Sequence, residues 1–267
     1  MTDSIISSPQ IEELKQHCGL LRDEVATLLA EHDHLIGTVG PNVVAIYATT
    51  IGVKEYEALS LDVEVRRLKA TIEKVQAIEN QGKMPNLEQI EAAVEDELQE
   101  WKAKVDKMLD EITASQKRLN NQMTGEESAE LQKLYHSLAK KLHPDLNPGL
   151  TDKQKLLWQR VQHAYATGNL PEMRALSLLV DDIPDELDMP NQVEQLEKRC
   201  ADLRAQVDSL LQKIADIKIQ PPLSLKDKLD DPEWVEQQIA ACKAKITMLS
   251  EQKNNLEAWL SIWKHKK

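Results

Sequence analysis

The sequence contains no phenylalanine, and aromatic residues make up only 3% of its 267 residues. Glycine is also scarce, with 8 occurrences. Because β proteins draw heavily on aromatic and β-branched residues in strands and on glycine in turns, this composition argues against a β fold. Leucine, glutamate, lysine, glutamine and alanine are abundant instead, as in long amphipathic helices. We therefore predict an all-α protein.

Positive charge is outnumbered, since 33 lysines and arginines stand against 45 acidic residues and give a net charge of -12. Such a chain repels a phosphate backbone, so we expect no nucleic-acid partner. The N-terminal MTDSIISSPQ lacks a basic stretch followed by an apolar one, and no uninterrupted apolar run approaches membrane-spanning length. These absences predict a soluble, cytoplasmic protein with no membrane partner.

Cysteine is rare and never occurs in a C-x-x-C pair, since the only ones are Cys18, Cys200 and Cys242. An odd number of distant cysteines favours reduced thiols over a disulfide framework and excludes the usual zinc-finger pattern. Three histidines lie near the first cysteine, but positions 18 and 32 of one helix are about 21 Å apart. They cannot share one ion within a chain, so we expect no metal site from Cys18, His17, His32 and His34.

Motifs for enzymatic chemistry are missing as well. The sequence has no phosphate-binding loop, no dinucleotide fingerprint and no nucleophile with an identifiable base. We therefore expect no enzymatic activity, no catalytic residues and no cofactor.

Heptad spacing marks long helices in the N-terminal region, residues 1–123. A second helix from Val43 to about Gln81 and a third from about Leu87 to Leu119 are separated by a short turn, which predicts an antiparallel hairpin with one extra helix. The seam of the extra, first helix consists of Ile11, Leu14, Cys18, Leu21, Val25, Leu28 and Leu35.

The C-terminal region, residues 181–267, shows a similar design. A return helix is predicted to begin at Asp231, Pro232 and Glu233, after the proline pair at 221–222. We predict a second antiparallel coiled-coil hairpin, in which Cys200 faces the region near Gln252 and Cys242 faces that near Leu210. The first seam of this hairpin consists of Val193, Leu196, Cys200, Leu203, Val207, Leu210, Ile214 and Ile217.

The central region, residues 124–180, has a different pattern. Thr124 with Glu127 and Thr151 with Gln154 are capping boxes that open two short helices. The first must end before Pro144, because the residue preceding a proline is disfavoured in the α region. The result is a pair of helices that flank an exposed loop, whose first residues are His143, Pro144 and Asp145.

The segment ELQKLYHSLAKKLHPDLNP resembles the second helix and loop of the J-domain (DnaJ-like) co-chaperone family, and WQRVQHAY resembles its third helix. The long flanking helices look like the coiled-coil arms of a bacterial group of J-domain-containing proteins. The specific motifs cover only about residues 130–165. The resemblance implies a helical core formed by Leu131, Tyr135, Leu138, Leu142, Trp158, Val161 and Tyr165.

The resemblance also implies a function. Members of the family dock on a heat-shock protein 70 (DnaK-type) chaperone and stimulate its ATP hydrolysis, with the aspartate at the place of Asp145 meeting an arginine of the chaperone. The window 131–167 carries six basic and two acidic residues, which suits an acidic partner surface. The expected chaperone-binding residues are His143, Pro144, Asp145, Lys133, His136, Lys140, Lys141 and Arg160.

Departures from the family leave a second interpretation open. The expected first helix is missing, and we predict that the end of the third long helix packs in its place through Val105, Met108, Ile112 and Leu119. The alternative is a coiled-coil interaction scaffold that keeps the J-like segment only as a structural joint. Only a co-chaperone needs the loop exposed and rigid. Self-association through the coiled coils is open under both interpretations.

Overall fold

A computed structural model describes residues 8–121, 123–180 and 192–265. Within these residues the regular structure is helical without a strand, so the all-α prediction is confirmed. The predicted boundary at residue 181 lies outside the described residues. The α helices are α1 Ser8–His34, α2 Gly40–Tyr47, α3 Val53–Glu79, α4 Leu87–Glu97, α5 Gln99–Asn120, α6 Gly125–Leu142, α7 Asp152–Ala166, α8 Leu170–Val180, α9 Val193–Lys218, α10 Lys226–Leu229 and α11 Pro232–His265.

The chain divides into two compact units, each built from segments that are distant in sequence. The first unit comprises Met1–Pro41 and Gln122–Ser224, and the second comprises Asn42–Asn121 and Leu225–Lys267. The first unit therefore contains α1 and α6–α9, whereas the second contains α3–α5, α10 and α11. Two of the helix pairs join distant segments: residues in contact are 182 positions apart between α1 and α9 and 184 positions apart between α3 and α11. Patterns within one region of the sequence therefore do not reveal the units.

In the first unit, α9 lies along α1 in a parallel coiled coil. A disulfide joins Cys18 to Cys200, with a Cα–Cα distance of 5.0 Å and a sequence separation of 182 residues. The same separation brings the two predicted heptad seams into register. It matches Ile11 with Val193, Leu14 with Leu196, Leu21 with Leu203, Val25 with Val207, Leu28 with Leu210, His32 with Ile214 and Leu35 with Ile217.

Polar contacts beside the seam confirm the parallel direction. The ammonium of Lys218 donates to the Glu31 carboxylate at 2.8 Å, and the guanidinium of Arg204 hydrogen-bonds His17 at 3.1 Å. In the first contact, Glu31 precedes the seam residue His32 and Lys218 follows the seam residue Ile217. In the second, His17 precedes Cys18 and Arg204 follows Leu203. Contacts between such flanking positions specify the partner in parallel coiled coils. The two contacts advance together along both helices, as only a parallel pair allows.

The predicted C-terminal hairpin is therefore wrong in its pairing. α9 packs on α1, and α11 packs on α3 in the other unit, so Cys200 does not face the region near Gln252 and Cys242 does not face that near Leu210. A heptad pattern shows that a helix has a partner but does not say which one. The prediction of reduced thiols is also wrong for the pair Cys18 and Cys200, and Cys242 remains free.

In the second unit, α4 and α5 run back along α3. Lys74 of α3 pairs with Glu97 at 2.7 Å, and the guanidinium of Arg66 lies 4.2 Å from the ring centre of Trp101. α11 lies along another side of α3, where the indole N–H of Trp263 donates to Glu79 at 2.8 Å. Val75 is fully buried among these helices.

One helical stretch, Pro9–Glu79, contains a window that is long and apolar enough to cross a membrane by length and composition, and 28% of that window is buried. The chain carries no charged residue from Leu35 to Val53, although polar residues such as Asn42 divide the apolar residues of this stretch. Core helices of soluble proteins and signal sequences near an N-terminus have the same composition. The window is therefore weak support for a membrane role.

Candidate partner-docking loop

The helices on either side of the His-Pro-Asp loop begin as the sequence predicts. Both capping boxes are present, since the Thr124 hydroxyl accepts from the Glu127 N–H and the Thr151 hydroxyl accepts from the Gln154 N–H. α6 ends at Leu142, where His143 turns to an extended conformation with φ −68° and ψ 128°. This is the conformation that a following proline imposes.

A single apolar cluster holds α6, α7 and α8 together. The rings of Tyr135 and Tyr165 stack with their centres 4.1 Å apart, and the Trp158 ring lies 5.5 Å from that of Tyr135. All seven residues predicted as core are buried, with relative exposures of 5% or less: Leu131, Tyr135, Leu138, Leu142, Trp158, Val161 and Tyr165. α8 adds a stripe that the core prediction missed, consisting of Leu170, Met173, Leu176 and Val180.

α1, rather than the end of α5, packs against this cluster. The hydroxyl of Tyr135 donates to the Asp33 carboxylate, and Tyr165 hydrogen-bonds His34 at 2.9 Å. Burial and the nearby negative charge of Asp33 raise the pKa of both tyrosines, which therefore stay neutral. Ala30 of α1 also packs on the cluster.

The prediction that α5 fills this place is consequently wrong, because α5 belongs to the other unit. α1 can pack against α9 and α6 at the same time because it has two interacting faces. Its heptad seam faces α9, and a second face with polar edges faces α6. The heptad pattern revealed only the first of these faces. The residues wrongly expected to pack on the central helices are Val105, Met108, Ile112 and Leu119.

The His143 side chain is folded under the loop, whereas Asp145 points outward. The His143 ring meets Trp158 edge-on with ring centres 5.0 Å apart, and the backbone N–H of Asp145 donates to its Nδ1 at 3.1 Å. The side chain of His143 is 12% exposed and that of Asp145 is 67% exposed. Burial lowers the pKa of His143, and the charges of Asp145 and Asp33 oppose this only in part. Pro144 is exposed.

Arg22 of α1 holds the loop from the side. Its guanidinium donates to the backbone carbonyl of Lys140 and to the side-chain oxygen of Asn147, both at 2.9 Å. The Asn147 amide donates in turn to the carbonyls of Lys140 at 3.0 Å and His143 at 3.2 Å. The Lys140 carbonyl lacks its usual helical donor because Pro144 has no N–H, and the bonds from Arg22 and Asn147 replace that donor. No sequence pattern indicated a role for Arg22, because its partners lie more than a hundred residues away in the chain.

The coiled coil forms the floor of the loop. Leu146 is fully buried in the apolar cluster of α1 and α9, and the Arg199 guanidinium of α9 donates to the Leu146 carbonyl at 3.2 Å. Asp145 lies at a cleft whose other lining residues come mainly from α9. That cleft is lined by Val25, Asp145, Ala205, Gln206, Ser209, Leu210 and Lys213.

The predicted cationic face of α6 is largely engaged within the chain. The ammonium of Lys140 lies 2.7 Å from Asp23 of α1, and His136 hydrogen-bonds Thr27 of α1 at 3.1 Å. Lys133 is exposed and makes no ion pair within the described residues.

Two further predicted binding residues contact α8. Lys141 donates to the carbonyl of Val180 at 3.4 Å, and Arg160 of α7 pairs with Glu172 at 3.0 Å. The Arg160 side chain is 56% exposed, so its ion pair lies in solvent. Pairs of this kind stabilise a protein by less than about 1 kcal/mol, so they break readily when a partner arrives.

Comparison with protein-family models, with curated proteins and with solved structures finds no match for this chain.

Proposed function

We propose that the protein is a J-domain co-chaperone that docks on a heat-shock protein 70 (DnaK-type) chaperone and stimulates its ATP hydrolysis. One observation carries the proposal above the others. A His-Pro-Asp tripeptide is held in a defined conformation between two capped helices, and its proline and aspartate are exposed. The sequence resemblance in residues 130–165 supports the same function. A cytoplasmic location belongs to this proposal.

His143 and Asp145 would have different roles in the loop. His143, packed under the loop against Trp158, fixes the backbone by accepting the Asp145 N–H. Asp145 then presents a carboxylate at a fixed place, where an arginine of the chaperone can donate two parallel hydrogen bonds. Hydrolysis takes place on the chaperone, so the protein contributes a binding surface and no catalytic residue.

The proposed docking surface is smaller than the resemblance alone implies. His136 and Lys140 are engaged by α1, and Lys141 reaches the end of α8. We assign the primary contact to the loop, with Lys133 as an accessible cation in the middle of α6. Arg160 is exposed enough to exchange its Glu172 partner for an acidic group of the chaperone.

The test is the steady-state ATP turnover of the host's DnaK-type chaperone with increasing concentrations of the reduced protein. We expect the turnover to rise, whereas the protein alone hydrolyses no ATP. The His143→Gln variant should stimulate much less than the wild-type protein, because glutamine cannot pack edge-on against Trp158 and hold the loop. Unchanged chaperone turnover with the wild-type protein at saturating concentration would contradict the proposal.

A matched control for this variant is His163→Gln. His163 lies on the same module, in the last turn of α7, and is exposed. The substitution makes the same chemical change away from the loop, so stimulation should match the wild-type value. Equal losses in the two variants would point to damage of the module rather than of the loop.

A coiled-coil scaffold remains the second candidate, and one observation favours it. Leu146 of the loop is fully buried between α1 and α9, so the loop also joins the central helices to the coiled coil. A scaffold requires this joint but not the Asp145 carboxylate. Under this alternative Asp145→Asn would leave every partner interaction unchanged, whereas Leu146→Ala would disturb the joint.

A further inference from the structure

The Cys18–Cys200 disulfide links α9 to α1, the helix that also supports the His-Pro-Asp loop. It joins equivalent seam positions of α1 and α9, and both residues are nearly inaccessible, with exposures of 0% and 8%. α1 is also held to the central helices independently of α9, through the contacts of Arg22 and Asp33. The disulfide thus fixes α9 to an element that is itself part of the loop's support.

α9 forms the wall that faces the loop. Arg199, the residue next to Cys200, donates to the Leu146 carbonyl at 3.2 Å. The cleft beside Asp145 is closed on its far side by Ala205, Gln206, Ser209 and Lys213 of the same helix. A folded partner domain is far wider than this cleft. Asp145 is 67% exposed, so a partner can approach it from solvent, but a partner that grips the carboxylate from the cleft side meets α9.

One layer of the α1–α9 seam near the far end of α1 is weaker than the apolar layers around it. His32 stands opposite Ile214, so one layer sets a polar ring against an apolar side chain and stabilises the pair less than two apolar residues would. α9 packs along α1, whereas its contacts with the loop are made through Arg199 and the cleft residues. Without the disulfide, the described contacts that hold α9 are non-covalent: the apolar seam, the Arg204–His17 and Lys218–Glu31 contacts, and its contacts with the loop.

We propose that the Cys18–Cys200 disulfide is a redox lock that holds α9 against the His-Pro-Asp loop, and that its reduction lets α9 separate and opens the loop to a partner. The consequence for ATP turnover rests on the proposed co-chaperone function, whereas the opening itself does not. In a cytoplasmic protein a disulfide is usually transient, which suits a redox-sensing role.

The reaction is a two-electron thiol–disulfide exchange with a dithiol reductant. One thiolate of the reductant attacks the sulfur of Cys200, the more exposed of the two, and the S–S bond breaks. The Cys18 sulfur leaves as a thiolate and takes up a proton. The second thiol of the reductant then attacks the mixed disulfide, which releases the Cys200 thiol and leaves the reductant as a cyclic disulfide.

Hydrogen–deuterium exchange tests the opening without any chaperone. The samples are the air-oxidised wild-type protein, the same protein in dithiothreitol, the Cys18→Ser/Cys200→Ser variant, and the Cys242→Ser variant as the matched control that keeps the lock. The amides of α9 and of residues 143–147 should exchange roughly ten-fold or more faster in the reduced protein and in the double variant. The oxidised control should exchange like the oxidised wild type. Equal exchange in all four samples would overturn the redox lock.

ATP turnover of the DnaK-type chaperone tests the consequence, with the double variant compared against the oxidised control so that no reductant is present. We expect stimulation by the double variant to be several-fold greater. Equal, measurable stimulation by both would overturn the lock. If neither stimulates, the proposed co-chaperone function fails, and hydrogen–deuterium exchange alone then decides for or against the lock.

Discussion

The backbone N–H of Asp145 donates a hydrogen bond to Nδ1 of His143 at 3.1 Å. This geometry requires an unprotonated Nδ1, so the loop conformation depends on a neutral imidazole. Burial favours the same state, because removing the ring from water disfavours its charged form. One side chain therefore couples the shape of the loop to pH.

The first prediction concerns the pH dependence of stability. The pKa of His143 is lowered from 6.5 in the folded protein, so below pH 6.5 the unfolded chain binds the proton more readily. The stabilisation is fully present above pH 6.5 and decreases as the pH falls. Urea denaturation of the wild-type protein and His143→Gln at pH 7.5 and about pH 5.5 measures this effect. The wild-type protein should lose more free energy of unfolding between the two values, and equal losses would contradict the prediction.

The second prediction concerns the contact between α1 and the loop. Arg22→Met should reduce the free energy of unfolding by about 1–3 kcal/mol, because carbonyl and amide oxygens at the end of α6 lose a charged donor. Asn147→Ala removes the other member of the network. The double variant should be less destabilised than the sum of the single variants, with a coupling of roughly 0.5 kcal/mol or more. Strict additivity would mean that the two side chains act independently.

The third prediction concerns the core of the central helices. Leu138→Ala should destabilise the protein by about 2–5 kcal/mol, since the leucine is only 2% exposed and its removal leaves a cavity. Leu156→Ala makes the same change at a residue that is 61% exposed, and it should cost less than about 0.5 kcal/mol. Thermal or urea unfolding of both variants checks the difference. Similar effects would show that the cluster is packed differently.

The fourth prediction concerns the parallel register of α1 and α9. In a Cys18→Ser/Cys200→Ser background, the pair Val25→Cys and Val207→Cys occupies the next equivalent seam positions with the same separation of 182 residues. Mild oxidation should join these cysteines within one chain. The control pair Val25→Cys and Leu196→Cys is about three turns out of register and should not join. Efficient cross-linking of the control pair alone would contradict the parallel arrangement.

Much of the first unit could be predicted from sequence because the signals are local. Each of these signals depends on residues a few positions apart. They are the capping boxes at Thr124 and Thr151, the break before Pro144, and the apolar stripe that includes Tyr135 and Trp158. The heptad seams are local in the same sense. Each of these patterns reports how a segment is built and which face it buries.

The pairing of the helices could not be predicted from such patterns. The seams containing Cys18 and Cys200 have the same period as those of α3 and α11, so periodicity alone allows several pairings. The correct pairing is marked only by features that two distant helices share. Examples are cysteines at equivalent seam positions and the opposite charges of Glu31 and Lys218. Antiparallel pairing of neighbours was the simpler expectation because short connections favour it. In the structure, α9 instead pairs with the distant helix α1, because the whole seam of one helix matches that of the other.

The contact of α1 with the cationic face of α6 could not be predicted for the same reason. Lys140 and His136 lie on the exposed face of α6 when that helix is considered alone. Asp23 and Thr27 of α1 engage them only because α1 crosses α6 in the folded unit. Charge patterns along one helix identify groups able to bind a partner, but a helix of the same chain can be that partner.

The most direct test of the central claim is chaperone ATP turnover with reduced wild-type protein, Asp145→Asn and the matched control Asp152→Asn. Asp152 is fully exposed in the first turn of α7, so its change leaves the loop intact. We predict that Asp145→Asn weakens docking by about 2 kcal/mol or more, roughly thirty-fold, since one partner of a charged pair is lost. Asp152→Asn should stimulate as the wild type does. Full stimulation by Asp145→Asn at wild-type concentrations would contradict the assignment of the His-Pro-Asp loop as the docking site.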